Sequence, residues 1–211
     1  MGANVLMSAR TVVLASASPS RKRLLNSCGI TPHIIVSGVD EEDPEFNSLT
    51  PSELVIALAV MKAHAVRDQA GDNALIIGCD STFEFEGKSL GKPLTPENAI
   101  ARSKELSGKT GLLHTGHCII DTKQGIEISD ISTSTVTFAE MSDAEIKAYV
   151  ASGEPLQVAG GFTLDGLSAP FISQIIGDPS GIIGLSLSLL RRAVNTLGLE
   201  WQEIAEMGAA S

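Results

Sequence analysis

With 211 residues, 43% of them hydrophobic and 19% charged, the chain is long enough to bury a substantial core without staples and too apolar for extended disorder. Its net charge of −10 opposes nonspecific attraction to nucleic acid or to an anionic membrane, so any phosphate site has to be locally basic. The longest apolar runs, Leu54 to Met61 and Ile182 to Leu190, fall short of the about 20 residues needed to cross a bilayer, and no membrane span is expected. Met1–Arg10 lacks the basic, apolar and small-residue succession of a signal peptide, which makes the expected location cytoplasmic. Cys28, Cys79 and Cys118 include no CxxC pair, so they are expected as buried thiols rather than as a disulfide framework or a zinc ribbon.

Thr11–Ala15 is β-branched and apolar and predicts a strand, followed by a polar turn at Ser16–Arg21 and a helix that stops at Cys28-Gly29. His33–Ser37 predicts a short strand before the acidic stretch Asp40-Glu41-Glu42-Asp43. Pro51 opens a helix whose apolar positions run at helical spacing from Glu53 to Gln69, with Lys62 at the edge of the apolar stripe and Gly71 as the stop. Ala74–Gly78 has the character of a buried strand with Asp80 at its end, continuing into a hairpin through Phe85 and Gly87. A helix starts at Thr95-Pro-Glu-Asn98 and runs to about Leu106. Leu112–Asp121 and Ile126–Phe138 form a long antiparallel hairpin around Lys123-Gln-Gly125. Ser142-Asp-Ala-Glu145 is a capping box for a helix to Val150, and a last helix covers Ile183–Leu197. The order of elements is α/β but not a simple βαβ repeat, with polar residues at several strand-to-helix junctions where open sheets commonly bind ligands.

Three segments carry chemistry. Ser16-Ala-Ser-Pro-Ser-Arg-Lys-Arg23 combines hydroxyls, a helix N-terminus and cations, which together cradle anions; a capped surface helix with solvated cations describes the same residues. Asp80, after an apolar strand, has the chemistry to hold a divalent cation or take a proton from water, or merely to cap a turn. The acidic run around Glu41 is rich in oxygen ligands but also describes a solvated loop, and it lacks the spacing of an EF-hand. His114 and His117 fall on opposite faces of a strand and make a poor metal pair. There is no GxSxG elbow, P-loop, HExxH pair or dinucleotide fingerprint.

In order along the chain, Leu14-Ala-Ser-Ala-Ser-Pro-Ser-Arg21, Val39-Asp-Glu41, Met61-Lys-Ala63, Gly78-Cys-Asp80, Gly91-Lys-Pro93, Leu106-Ser-Gly108, Ala148-Tyr-Val150 and Ala159-Gly160 resemble the Maf family from about residue 11 to about residue 200. The resemblance implies one α/β domain over residues 1–211, with residues 1–10 and 207–211 as peripheral tails. It implies an elongated, mixed, twisted sheet with flanking helices and a cleft between two lobes, similar to the inosine triphosphate pyrophosphatases. It also implies hydrolysis of nucleoside triphosphates to monophosphate and pyrophosphate with a divalent cation, Mg²⁺ or Mn²⁺, in a homodimer. Carried over by position, Ser16, Ser18 and Arg21 belong to the phosphate turn, Lys62 and Lys92 to the triphosphate contacts, Glu41 and Asp80 to the metal site, and Asp80 to catalysis. Ser20, Ser81 and Asp165 fall at positions that separate subgroups by base. Many members have arginine where Ser20 stands; Lys22 and Arg23 are expected to point in other directions from residue 20. A noncatalytic nucleotide-binding regulator of cell division or septum formation is the alternative function.

Overall fold

A computed structural model describes residues 10–41 and 43–206; Glu42 and the expectations for Met1 to residue 9 and for the C-terminal tail lie outside the described residues. The guanidinium of Arg10 bonds the buried Asp121 at 2.9 Å and Asn73 at 3.0 Å. The elements are β1 (Thr11–Leu14), α1 (Pro19–Ser27), β2 (His33–Ile34), α2 (Pro51–Ala65), α3 (Arg67–Ala70), β3 (Ala74–Phe85), β4 (Lys88–Leu90), α4 (Pro96–Leu106), β5 (Thr110–Asp121), β6 (Ile126–Phe138), α5 (Asp143–Ala151), β7 (Ile172–Ile176), α6 (Pro179–Ile183) and α7 (Leu187–Thr196).

One seven-stranded sheet has the order β2-β1-β3-β5-β6-β7, with β4 also paired to β3. β1 runs parallel to β2 and β3, and the remaining pairs are antiparallel. The site originates in how β3 is shared. Its first part, Ala74–Ile77, pairs with β1, and its last part, Phe83–Phe85, pairs on the same edge with β4. Residues 78–82 lie between these two partners, so the sheet forks there while β5 continues unbroken along the other edge. At roughly 3.3 Å per residue, twelve-residue β3 is about 40 Å long and places a lobe on each side of the fork.

Alternation along the strands builds the first lobe. Val12, Leu14, Leu75, Ile77 and Cys79 face α1 and α7 through Leu25, Leu189 and Val194. Val13, Ile76, Cys118 and Ile120 face α2 through Ala59 and Ala63. α2 lies almost on the strands because two glycines let it: a Cβ on Gly78 would sit 2.3 Å from the Ala59 carbonyl oxygen, and one on Gly116 would sit 2.2 Å from that of Val55. The second lobe is centred on Phe83, Phe138 and Phe162, mutually edge-on with ring centroids 5.1 to 5.8 Å apart, and is closed by α4 and α5.

The structure corrects several expected boundaries. Asp80 is in the middle of β3, not at its end; its partner β1 ends three residues earlier, opposite Ile77. The strand expected over 33–37 is reduced to His33–Ile34, followed by one more ladder bond from the Ile35 N–H to the Leu14 carbonyl. The helix expected to Gln69 breaks at Val66, and the last helix is split into α6 and α7 at Gly184, whose φ of +127° no helix adopts. The hairpin of β5 and β6 and the capping box at Ser142 and Glu145 form as expected, both halves of the box included.

Candidate active site

The fork opens a cleft of about 970 Å³, the size of ordinary small-molecule sites, between the two lobes. Asp80 stands at its centre, 8% exposed, on the sheet face that α2 covers. The close packing of α2 delivers Lys62 there: its Nζ donates to Asp80 Oδ1 at 2.6 Å and to Glu41 Oε1 at 2.6 Å. Lys62 is itself only 5% exposed, so the pair is nearly dry. Burial pushes the Asp80 carboxyl above its ordinary pKa, and the neighbouring charges of Lys62 and Arg21 offset this only in part. Burial works the same way on Glu41 but loses: the Lys62 hydrogen bond and the charges of Lys62, Lys92 and Arg21 hold its carboxyl below the usual range. The two carboxylates are therefore unequal, one poised to accept a proton and the other held ionised. Lys92 is exposed on the cleft wall, and its effect on Glu41 places it within electrostatic reach of the same centre.

The turn at the start of α1 forms the opposite wall. Ser18 caps the helix by accepting from the Arg21 N–H, and the Ser16 hydroxyl accepts from the Ser18 N–H. Arg21 is buried and fixed on three sides: Nε donates to the Gly184 carbonyl at 2.8 Å, Nη1 to Ser16 Oγ at 3.1 Å and Nη2 to Ser81 Oγ at 3.2 Å. Ser81 also bonds Thr115, whose hydroxyl donates to the Gly181 carbonyl. A guanidinium has five N–H donors, so two remain for a ligand. The corner after Gly184 is held in turn by the Ser186 N–H donating to His117 Nε2 at 2.8 Å. Burial, reinforced by the Arg21 charge, lowers the His117 pKa to about 4, which keeps this ring neutral and able to accept.

The structure thus brings Ser16, Ser18, Arg21, Glu41, Lys62, Asp80, Ser81 and Lys92 to one cleft. One sequence expectation changes: Arg23 does not point away from Ser20 but folds over it, donating from Nη2 to Ser20 Oγ at 2.9 Å, because residues three apart on a helix share a face. The same Nη2 donates to Asp165 Oδ2 at 2.9 Å, so that carboxylate already has one partner. His114 and His117 do lie on opposite faces, His114 bonding Glu84 and Thr133. Cys79 adjoins Asp80, but burial pushes its thiol up to about 11, so it is not a thiolate nucleophile. Sequence reasoning missed Thr115, Gly184 and His117 as supports of Arg21, and Glu154, which fixes the Asp165 loop by accepting from Thr163 Oγ1 and the Leu167 N–H. These partners are distant in the chain and carry no local signal.

A forked α/β sheet whose notch gathers buried cations around an unequal carboxylate pair defines an anion-processing enzyme site. The chain belongs to the family described as Maf-like protein, whose model matches residues 11–197. It is 52% identical over 190 residues to a protein of Streptomyces coelicolor, covering 90% of this chain and 91% of that one. A Streptomyces avermitilis protein is 50% identical over 191 residues, covering 90% and 92%, and a Thermosynechococcus vestitus protein is 50% identical over 186 residues, covering 88% and 93%. Each of the three is named nucleoside triphosphate pyrophosphatase.

Proposed function

We propose that the chain is a nucleoside triphosphate pyrophosphatase, a hydrolase of acid anhydrides that converts (d)NTPs to (d)NMP and pyrophosphate. The observation that carries this is the buried Lys62 clamped between Asp80 and Glu41 in a cleft that Arg21 and Lys92 also reach. A triphosphate brings about four negative charges, and those cations neutralise it before any nucleophile can approach phosphorus. Arg21 and the start of α1, with Ser16 and Ser18, bind phosphate oxygens; Lys62 has a third N–H to offer them and Lys92 adds a third cation. Asp80 takes the proton from the attacking water as its oxygen bonds to the α-phosphorus. The bond from that phosphorus to the bridging oxygen breaks, and pyrophosphate leaves against the lysines. An acceptor shielded from water beside a polyphosphate serves catalysis, whereas a regulator that only binds nucleotide has no use for it.

The donor set suits Mg²⁺ or Mn²⁺: two hard carboxylates, Asp80 and Glu41, with one oxygen each beyond the Lys62 bonds, suffice for a cation that takes its other ligands from phosphate and water. Bound there, the cation supplies charge neutralisation and a more acidic water. No three-residue His, Cys, Asp or Glu cluster lies among the described residues, so such a site draws on substrate oxygens as well. No helix of the described residues is long and apolar enough to cross a membrane. We infer a cytoplasmic homodimer that clears noncanonical nucleotides, on family resemblance, and one without nucleic-acid partners, on the net charge of −10. Ser20, Ser81 and Asp165 line the cleft as base-selecting positions, and the engagement of all three hydroxyl or carboxylate groups by arginines favours a broad range, under about 100-fold in kcat/KM among the better substrates. A nucleotide panel with Mg²⁺ or Mn²⁺, scored for pyrophosphate against orthophosphate, tests this: monophosphate and pyrophosphate are expected. Release of orthophosphate with diphosphate, or no turnover on any nucleotide, overturns it.

A further inference from the structure

Arg23 and Asp165 stand at the outer end of the cleft on opposite lobes. Arg23 belongs to α1, whose Leu25 packs in the first lobe, whereas Asp165 is carried by the loop after Phe162, which packs in the second. Their ion pair bridges the opening, and both residues line it. Each partner has a second tether: Ser20 accepts from Arg23, and Glu154 holds the Asp165 loop through Thr163 and Leu167. The side chain of Arg23 is nevertheless 62% exposed, unlike the buried Arg21 and Lys62 deeper in.

We propose that Arg23 is a specificity-determining residue that reads the nucleobase, donating to a ring carbonyl oxygen. This rests on the nucleotide reading above and deepens it. Charge decides which end of the substrate it meets. Paired one to one with a carboxylate, the guanidinium presents almost no net charge, and Asp165 would repel a phosphate; an uncharged base edge meets no such repulsion. Hydrogen-bond bookkeeping decides which edge. Both hydrogens of Nη2 are spent on Ser20 and Asp165, leaving the Nε hydrogen and two on Nη1, beside the single remaining oxygen of Asp165. An edge richer in donors than acceptors favours bases with a carbonyl, as in uracil, guanine or hypoxanthine, over those with an amino group at that place, which turns donor against donor. Ser20 is short enough to let Arg23 lie across it.

The test is kcat/KM for UTP against CTP and ITP against ATP, in the parent, Arg23→Ala and Arg23→Lys. One partly exposed charge-assisted bond predicts a preference of about 10-fold for the carbonyl member of each pair. The preference falls to within about 2-fold in Arg23→Ala and is partly kept in Arg23→Lys. A parent that does not discriminate, a ratio unchanged in Arg23→Ala, or an equal loss on all four nucleotides overturns the assignment. Should Arg23→Ala not fold, Arg23→Lys decides alone: an unchanged ratio overturns the proposal and a reduced one supports it. Absence of turnover in the parent would sink the pyrophosphatase reading instead; the same ratios are then taken from dissociation constants measured calorimetrically with Ca²⁺, with the same outcomes for Arg23.

Discussion

Replacing Asp80 by asparagine separates a catalytic role from a structural one because the two predict opposite changes in stability. The side chain keeps its shape but loses its charge. Its folded-state pKa is raised by burial, so at pH values above that pKa the ionised carboxylate is held against its preference and opposes folding. Asparagine removes that cost and loses the charge-assisted bond at 2.6 Å from Lys62, which keeps Glu41 as its partner. The metal-free variant is therefore expected within about 1 kcal/mol of the parent, or above it. Turnover should fall by about 10² or more, equivalent to about 2.7 kcal/mol of lost transition-state stabilisation. Pyrophosphate release gives the rate, and urea unfolding in EDTA gives the stability. Added Mn²⁺ should raise the midpoint of the parent more than that of the variant. Near-parental kcat in a folded Asp80→Asn protein would refute the role of Asp80 as base. Activity lost together with several kcal/mol of stability would make it a structural residue.

Arg21→Ala and Lys92→Ala should each lower kcat/KM, by about 10-fold or more, if both meet the phosphates as proposed; Arg21→Ala should also destabilise, because it strips partners from Gly184, Ser16 and Ser81, whereas exposed Lys92 should not. Unchanged kcat/KM in steady-state assays removes either residue from the site. His117, with its pKa lowered to about 4, contributes stability that is complete above its ordinary value of 6.5 and is lost as pH falls through about 4. Up to about 3 kcal/mol is at stake across that window, read from urea midpoints between pH 7.5 and 4. His117→Asn, which retains an acceptor for the Ser186 N–H, should flatten the slope; parallel slopes in the two proteins would show that the ring is not the titrating group.

Elements with a local signal were legible in the sequence. The capped start of α1, the hairpin of β5 and β6 and the capping box of α5 depend on residues a few positions apart, and the structure contains them. β7 was not anticipated: Ile172–Ile176 is short, follows a single turn of 3-10 helix and pairs across a bulge, so its periodicity is weak. The apolar run Ile182–Leu190 gives no hint of the break at Gly184, because a glycine inside a helical pattern is tolerated as often as it is used to turn. The residues that gather in the cleft were nameable one by one from their own chemistry, but only the family resemblance joined them into one site. Lys62 and Asp80 are 18 positions apart and Arg21 and Gly184 are 163 apart, separations that only the sheet topology converts into contact.

The fork in the sheet also bears on how this protein can change. Cutting it between the lobes would sever β3, β5 and β6 through their middles, since all three strands run past the notch into both halves. Neither half is thus a unit that could be expressed, exchanged with a relative or lost by itself, although the cleft suggests a seam. Variation can enter at the rim, through the loops that carry Asp165 and Lys92, while the span that carries Asp80 has to be inherited whole.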